Sequence, residues 1–250
     1  MPIALITGAS AGIGQATARL LGKSGYDLII CGRRQERLDA LKDELSGDCA
    51  LHTLCFDVRD KEAVAEKISG LSGKWKEIDL LINNAGNAHG LDTVQDADLD
   101  DWDAMIDINV KGLLYVSKAV LPGMVERRSG HIINIGSTAG KEVYPKGNVY
   151  CASKHAVDAI TQGMRLDLNT IGIKVTAINP GLVETEFSEV RFKGDQDKAQ
   201  KVYAGMTPLR PEDVAETILF AATRPAHVNI ADLILMPTDQ ASSTVVKRNS

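Results

Sequence analysis

The sequence predicts an α/β chain, one doubly wound parallel sheet of about seven strands with helices on both faces. Three observations carry this. Short strand-like runs alternate with longer helical patterns from end to end. Several runs are continuously apolar, such as Leu80-Leu81-Ile82, as strands covered on both faces require. No Pro-, Gly- or Ser-rich linker, internal repeat or low-complexity tract breaks the rhythm, so residues 1–250 read as a single domain. Strands alternating with helices imply right-handed crossovers and a parallel sheet.

The elements follow in order. Strand 3–7 runs into Gly8, and helix 12–24 opens at Gly12-Ile13-Gly14. Gly8 permits a tight turn, while Gly12 and Gly14 admit close backbone approach. The free N–H groups of Ser10, Ala11, Gly12 and Ile13 at the helix start suit the pyrophosphate of a dinucleotide. The GxxxGxG spacing differs from the GxGxxG fingerprint, but its place between strand and helix gives the same Rossmann-like reading.

Strand 27–31 leads into Gly32-Arg33-Arg34-Gln35, with no acid between Leu28 and Gln35. An NAD site places a carboxylate there for the ribose hydroxyls. Arg33 and Arg34 instead suit the 2′-phosphate of NADP. Helix 35–46 carries Leu38, Leu41 and Leu45 at helical spacing, and helix 60–71 carries Val64, Ile68 and Leu71.

Strand 51–56 ends at Asp57-Val58, and strand 78–82 ends at Asn83-Asn84-Ala85-Gly86. Both ends face the crevice where ligands of such sheets bind. Asp57 either accepts from an adenine amino group or caps helix 60–71. Helices 98–107 and 109–128 precede strand 131–136, which closes in Ile135-Gly136-Ser137-Thr138. Helix 148–170, strand 173–178, helix 211–223 and strand 232–236 complete the order. The long departure at 182–210 reads as a lid over the substrate. The polar tail from Thr238 is expected to be disordered or packed on a neighbouring subunit.

Tyr150 and Lys154 stand four residues apart on a helical stretch, on one face and about 6 Å apart along the axis. A free phenol is too weak a base at neutral pH. A nearby ammonium and an oxidised nicotinamide favour phenolate, which then accepts the proton released in alcohol oxidation or returns it in reduction. Ser137, at a strand end, is placed to hold the substrate oxygen.

The 44% hydrophobic content supports a sizeable core. A net charge of −5 without any polybasic tract gives no sign of nucleic-acid binding. Cys31, Cys49, Cys55 and Cys151 lack disulfide or metal spacing, and Cys151 is read as packing that faces away from the site. His89, His131, His155 and His227 show no ligand spacing, so no metal is expected. Glu184, Glu186 and Glu189 read as a solvated lid face. No apolar run reaches spanning length, and no secretory leader opens the chain. A cytoplasmic protein with no membrane partner is expected.

These motifs resemble the short-chain dehydrogenase/reductase family: Thr7-Gly8-Ala9-Ser10-Ala11-Gly12-Ile13-Gly14, Asp57-Val58, Asn83-Asn84-Ala85-Gly86, Asn109, Ser137, Tyr150-x-x-x-Lys154 and Pro180-Gly181. The match runs from Ile3 to Met236. The resemblance implies a catalytic tetrad of Asn109, Ser137, Tyr150 and Lys154. In it Tyr150 is the acid/base and Ser137 holds substrate. Lys154 binds the nicotinamide ribose and lowers the tyrosine pKa, and Asn109 positions a water. Pro180, Gly181, Val183 and Thr185 border the nicotinamide. Helices 98–128 and 148–171 build a homotetramer.

Within that family the chain is similar to the NADP-dependent 3-hydroxy acid dehydrogenases. The similarity lies in Gly32–Leu38, Leu121–Arg127, Gly130–Gly140, Val190–Asp195 and Pro225–Ile230. Leu182–Glu186 is a residue shorter than in some relatives. The similarity implies small hydroxy acid or oxo acid substrates such as L-allo-threonine, serine, 3-hydroxypropionate or malonic semialdehyde.

Such substrates carry a carboxylate that needs a cation. Lys141, Lys146, Arg191 and Lys193 are the candidates. Arg191 is favoured because a guanidinium binds carboxylate in fork geometry and Val190 and Phe192 flank it with apolar surface. Two other readings are a carbonyl or 3-oxoacyl reductase of the same family, and an NADP-binding regulator without turnover. The complete tetrad argues against the regulator.

Overall fold

The computed structural model describes residues 1–249. Among these, seven strands form one parallel sheet in the order β3-β2-β1-β4-β5-β6-β7. They are β1 Ile3–Thr7, β2 Asp27–Gly32, β3 Leu51–Cys55, β4 Ile78–Asn83, β5 Gly130–Ile135, β6 Ile173–Pro180 and β7 Asp232–Leu235. The order reverses between β1 and β4, which opens the crevice at their carboxyl ends.

Alternate residues of the central strands feed two separate cores. Leu5, Ile29 and Leu81 point to one face with Val116, Val120 and Met124. Ala4, Ile6, Leu28, Ile30 and Ile82 point to the other, with Leu38, Leu41 and Ile218. Both faces are therefore apolar, which explains the unbroken apolar runs. A chain of buried polar groups crosses the first core. Asn83 Nδ2 donates to Ser117 Oγ and Asn134 Oδ1, both at 2.9 Å, and Asn134 Nδ2 donates to Thr161 Oγ1 at 2.9 Å.

The helices are α1 Gly12–Lys23, α2 Gln35–Glu44, α3 Lys61–Ser69, α4 Leu99–Ile106, α5 Leu113–Arg127, α6 Asn148–Leu168, α7 Phe187–Arg191, α8 Gln196–Lys201 and α9 Pro211–Ala222. The two helices expected at 98–107 and 109–128 are one continuous rod. A π turn, Asp107–Gly112, joins α4 to α5 and contains Asn109. Such wider turns recur at functional sites.

The segment 182–210 is not a plain loop: α7 and α8 fold within it. The tail also departs from expectation, because it docks on its own chain. Gln240 Oε1 accepts from Leu182 N at 2.8 Å, and Asn249 N donates to Gly205 O at 2.7 Å. Ser250 lies outside the described residues. No helix among the described residues is long and apolar enough to cross a membrane.

Candidate active site

A cavity of about 460 Å³ lies along the carboxyl ends of β1 to β6. Its dinucleotide end is built by the glycine turn. Gly8 and Gly12 hold φ of +66° and +52°, a region that favours glycine. A Cβ on Gly14 would lie 2.4 Å from Gly8 O. Gly14 therefore serves close packing of helix on turn and does not itself line the cavity. Helix α1 starts at Ala11 without a side-chain cap and without an acid in its first turn, so its amides and positive dipole end are free for an anion. The turn is braced from β4: Asn84 Nδ2 donates to Thr7 O at 2.9 Å, and Thr7 Oγ1 accepts from the amides of Asn84 and Ala85 at 3.0 Å. The side chain of Asn84 thus acts on the turn.

Arg33 and Arg34 line the same end. Arg34 directs Nε and Nη2 at Ser10 Oγ, at 3.4 and 3.2 Å, and donates from Nη1 to Glu186 at 3.1 Å. Arg33 stands 3.8 Å from Asp57, whose carboxylate is gripped by Arg59 at 2.7 Å. Burial raises the Asp57 pKa, but Arg59 and Arg33 outweigh it and hold the carboxyl below its usual range. The cap of α3 is Asp60, which accepts from Ala63 N at 2.9 Å. The helix-cap alternative for Asp57 is therefore discarded. Val58, Ala85 and Gly86 line the middle of the cavity, and Pro180, Gly181, Val183 and Thr185 its far wall.

At the other end Ser137, Tyr150 and Lys154 converge. Tyr150 and Lys154 lie on one face of α6, and Ser137 follows β5. Lys154 Nζ donates to Ile135 O at 2.9 Å, and burial lowers its pKa to about 8. Tyr150 packs edge-on to Phe187, with ring centroids 5.7 Å apart.

The expectation of a lowered Tyr150 pKa does not hold in the protein alone. Burial pushes the phenol up, Tyr144 adds to this, and the Ser137 hydroxyl and Arg191 pull only weakly the other way. The physical reason is that the phenol is withdrawn from water, and desolvation of the phenolate is the largest influence on it.

The Asn109 side chain fastens the loop after β4. It donates to Asn87 O at 2.8 Å and to Ser153 Oγ at 3.0 Å, and accepts from Asn87 N at 2.9 Å. Cys151 is fully buried beside Tyr150 in an apolar cluster and does not line the cavity. No group of three metal-ligating side chains occurs among the described residues.

Of the four candidate cations, the fold brings one to the chemistry. Arg191 donates to Tyr144 OH at 3.0 Å and to Gly90 O at 3.1 Å, and its guanidinium lies 5.6 Å from the Tyr150 ring centroid. Lys141 is held by Asp158 and Asp232, Lys193 by Asp101 and Asp98, and Lys146 is exposed outside the cavity.

Sequence reasoning missed Arg37, Tyr144 and Asn87, and misread Glu186. That carboxylate accepts from Arg37 Nη1 at 2.6 Å as well as from Arg34. It is a paired group, with a pKa below its usual value because the two arginines outweigh burial.

Comparison with known proteins agrees with this architecture. The short chain dehydrogenase family matches residues 2–196. An NADP-dependent 3-hydroxy acid dehydrogenase of Salmonella typhi is 52% identical over 240 residues, 96% of each chain. Sulfoacetaldehyde reductase 2 of Chromohalobacter salexigens is 48% identical over 242 residues, again 96% of each. The structure of the closed form of a serine dehydrogenase complexed with NADP+ superposes with a TM-score of 0.93 at 48% identity, covering 99% of this chain and all of the other. Over most of its length, in its sheet order and in its motifs, the chain belongs to the short-chain dehydrogenase family.

Proposed function

We propose that this chain is an oxidoreductase that moves a hydride between NADP(H) and a small 3-hydroxy acid or 3-oxo acid, of the L-allo-threonine, serine, 3-hydroxypropionate or malonic semialdehyde type. One observation carries the substrate class: the guanidinium of Arg191 stands in the cavity beside Tyr150, while Lys141 and Lys193 are ion-paired elsewhere and Lys146 is exposed outside it. A carboxylate two carbons from the reacting hydroxyl meets that cation while the hydroxyl faces the phenol. The segment 182–210 acts as the lid that carries Arg191.

The cofactor fits the residues present. Uncapped amides of the glycine turn and the start of α1, from Ser10 to Ile13, take the pyrophosphate, and Arg33 and Arg34 take the 2′-phosphate. Asp57 and Val58 border the adenine. Asn84, Ala85, Gly86, Pro180, Gly181, Val183 and Thr185 border the rest. When bound, NADP supplies the hydride acceptor or donor. Ser137 holds the reacting oxygen, and Tyr150 exchanges its proton. The neutral phenol that burial favours is the form that donates in the reducing direction. Lys154 supplies a buried positive charge behind Tyr150 and meets the nicotinamide ribose. Asn109 anchors Asn87 and the π turn, leaving a water-holding role to its backbone.

A homotetramer in the cytoplasm belongs to the same reading. Leu114, Val125 and Leu166 are exposed apolar residues on α5 and α6, the helices expected at the interface. All four cysteines are unpaired, as a reducing compartment allows.

The test is the initial rate of NADP+ reduction with L-allo-threonine, L-serine and 3-hydroxypropionate, against a simple secondary alcohol and against NAD+. Turnover of the acids with NADP+ supports the reading. Activity with the neutral alcohol alone removes the carboxylate pocket and favours a carbonyl reductase. Silence throughout favours the 3-oxoacyl reductase or the regulator.

A further inference from the structure

Helix α7 is pinned at both ends by charge. At its start, Glu186 is held by Arg37 at 2.6 Å and Arg34 at 3.1 Å. At its end, Arg191 reaches Gly90 O and Tyr144 OH. Five residues of helix span about 7.5 Å, so a short rigid piece links the arginines after β2 to the guanidinium beside Tyr150.

Arg37 is the informative member. Unlike Arg34 and Glu186, it does not line the cavity. It sits on α2, 149 residues away in sequence from its partner. Its guanidinium meets the lid at Glu186. Arg34, by contrast, shows one side of its fork to Ser10 and another nitrogen to Glu186. A single arginine thus touches both the dinucleotide end and the lid.

Building on the reading that Arg191 receives the substrate carboxylate, we propose that Glu186 and Arg37 form a latch that seats the lid and positions Arg191 over Tyr150. They are positioning residues and touch neither substrate nor reacting atoms. Arg34 and Arg37 share Glu186, while Arg33 and Arg59 face Asp57. With Arg37 set against Glu186 and Arg59 against Asp57, Arg33 and Arg34 remain as two positive charges for a phosphate dianion. Latch and 2′-phosphate are therefore compatible in charge. Other ties assist the latch: Tyr203 OH donates to Val183 O at 2.8 Å, and Lys193 meets Asp101 at 3.0 Å.

The experiment uses Arg37→Gln, Glu186→Gln, the double variant and Arg37→Lys. Two readouts are taken: hydrogen exchange of residues 187–201 in the unliganded protein, and kcat and KM for 3-hydroxypropionate beside the Kd of NADP+. These pairs are about 40% exposed, so a modest effect is expected. Each Gln variant should speed exchange of the lid and raise KM by about fivefold, with the Kd of NADP+ held within about twofold for Arg37→Gln. The double variant should be no worse than Glu186→Gln alone, because that change already breaks the Arg37 contact along with the Arg34 one. Arg37→Lys should recover most of the loss. Unchanged lid exchange in both Gln variants overturns the latch, as does a weakened Kd for NADP+ with unchanged KM in Arg37→Gln. Wild-type enzyme that ignores 3-hydroxy acids would instead overturn the functional reading, and the exchange result would still judge the latch.

Discussion

The ammonium of Lys154 donates across 2.9 Å to the carbonyl oxygen of Ile135, buried and without a carboxylate partner among the described residues. Desolvation drops its pKa from 10.5 to about 8. Between those two values the unfolded chain holds a proton that the folded chain has released. Stability from this group therefore rises with pH from about 8 to 10.5, and the burial penalty is fully present below pH 8. Relative to Lys154→Met, wild-type stability in urea should gain on the order of 3 kcal/mol across that window. A difference that stays flat with pH would contradict the burial.

His131 acts with the same sign on the acid side. Its Nε2 lies 2.8 Å from Thr176 Oγ1, and its Nδ1 is buried without a partner. Burial lowers its pKa to about 3, with Lys174 adding to the effect. The stability it allows is complete above its ordinary value of 6.5 and is lost as pH falls toward 3. His131→Gln should remove up to about one proton of acid dependence in that range, on the order of 5 kcal/mol at the acid end. Parallel acid limbs in both proteins would rule out a neutral buried imidazole.

Tyr150→Phe keeps the ring that packs on Phe187 and removes the exchangeable proton. The melting temperature should stay close to wild type while kcat falls by about a hundred- to ten-thousandfold. Retention of more than a tenth of wild-type kcat would assign the proton to another group.

Gly14→Ala puts a methyl 2.4 Å from Gly8 O and 2.5 Å from Asn84 Nδ2. The turn must shift, at a cost of about 1–3 kcal/mol. Its NADP+ affinity should fall with its stability, as calorimetry would measure. Wild-type affinity would mean that the turn tolerates a Cβ there.

The parts legible in the sequence were those coded by local pattern. Apolar runs gave the seven strands, and the glycine turn and the Tyr150–Lys154 spacing located the two ends of the crevice. The missing acid after β2 pointed to Arg33 and Arg34. What escaped depends on long-range placement. Arg37 and Glu186 have no sequence relation that pairs them. Helices α7 and α8, five and six residues long, are too short to show a period. The π turn hides inside helical spacing on both sides. The raised Tyr150 pKa follows from burial, which motif spacing does not measure.

The central claim is that Arg191 makes the site selective for a carboxylate. It is tested most directly by the ratio of kcat/KM for 3-hydroxypropionate to that for 3-hydroxypropionamide, its neutral counterpart, in wild type and Arg191→Gln. The acid should lose about ten- to a hundredfold in the variant while the amide changes by less than about threefold, so the ratio collapses. Equal losses for acid and amide would contradict the account, leaving Arg191 as a structural clamp on Tyr144 and Gly90.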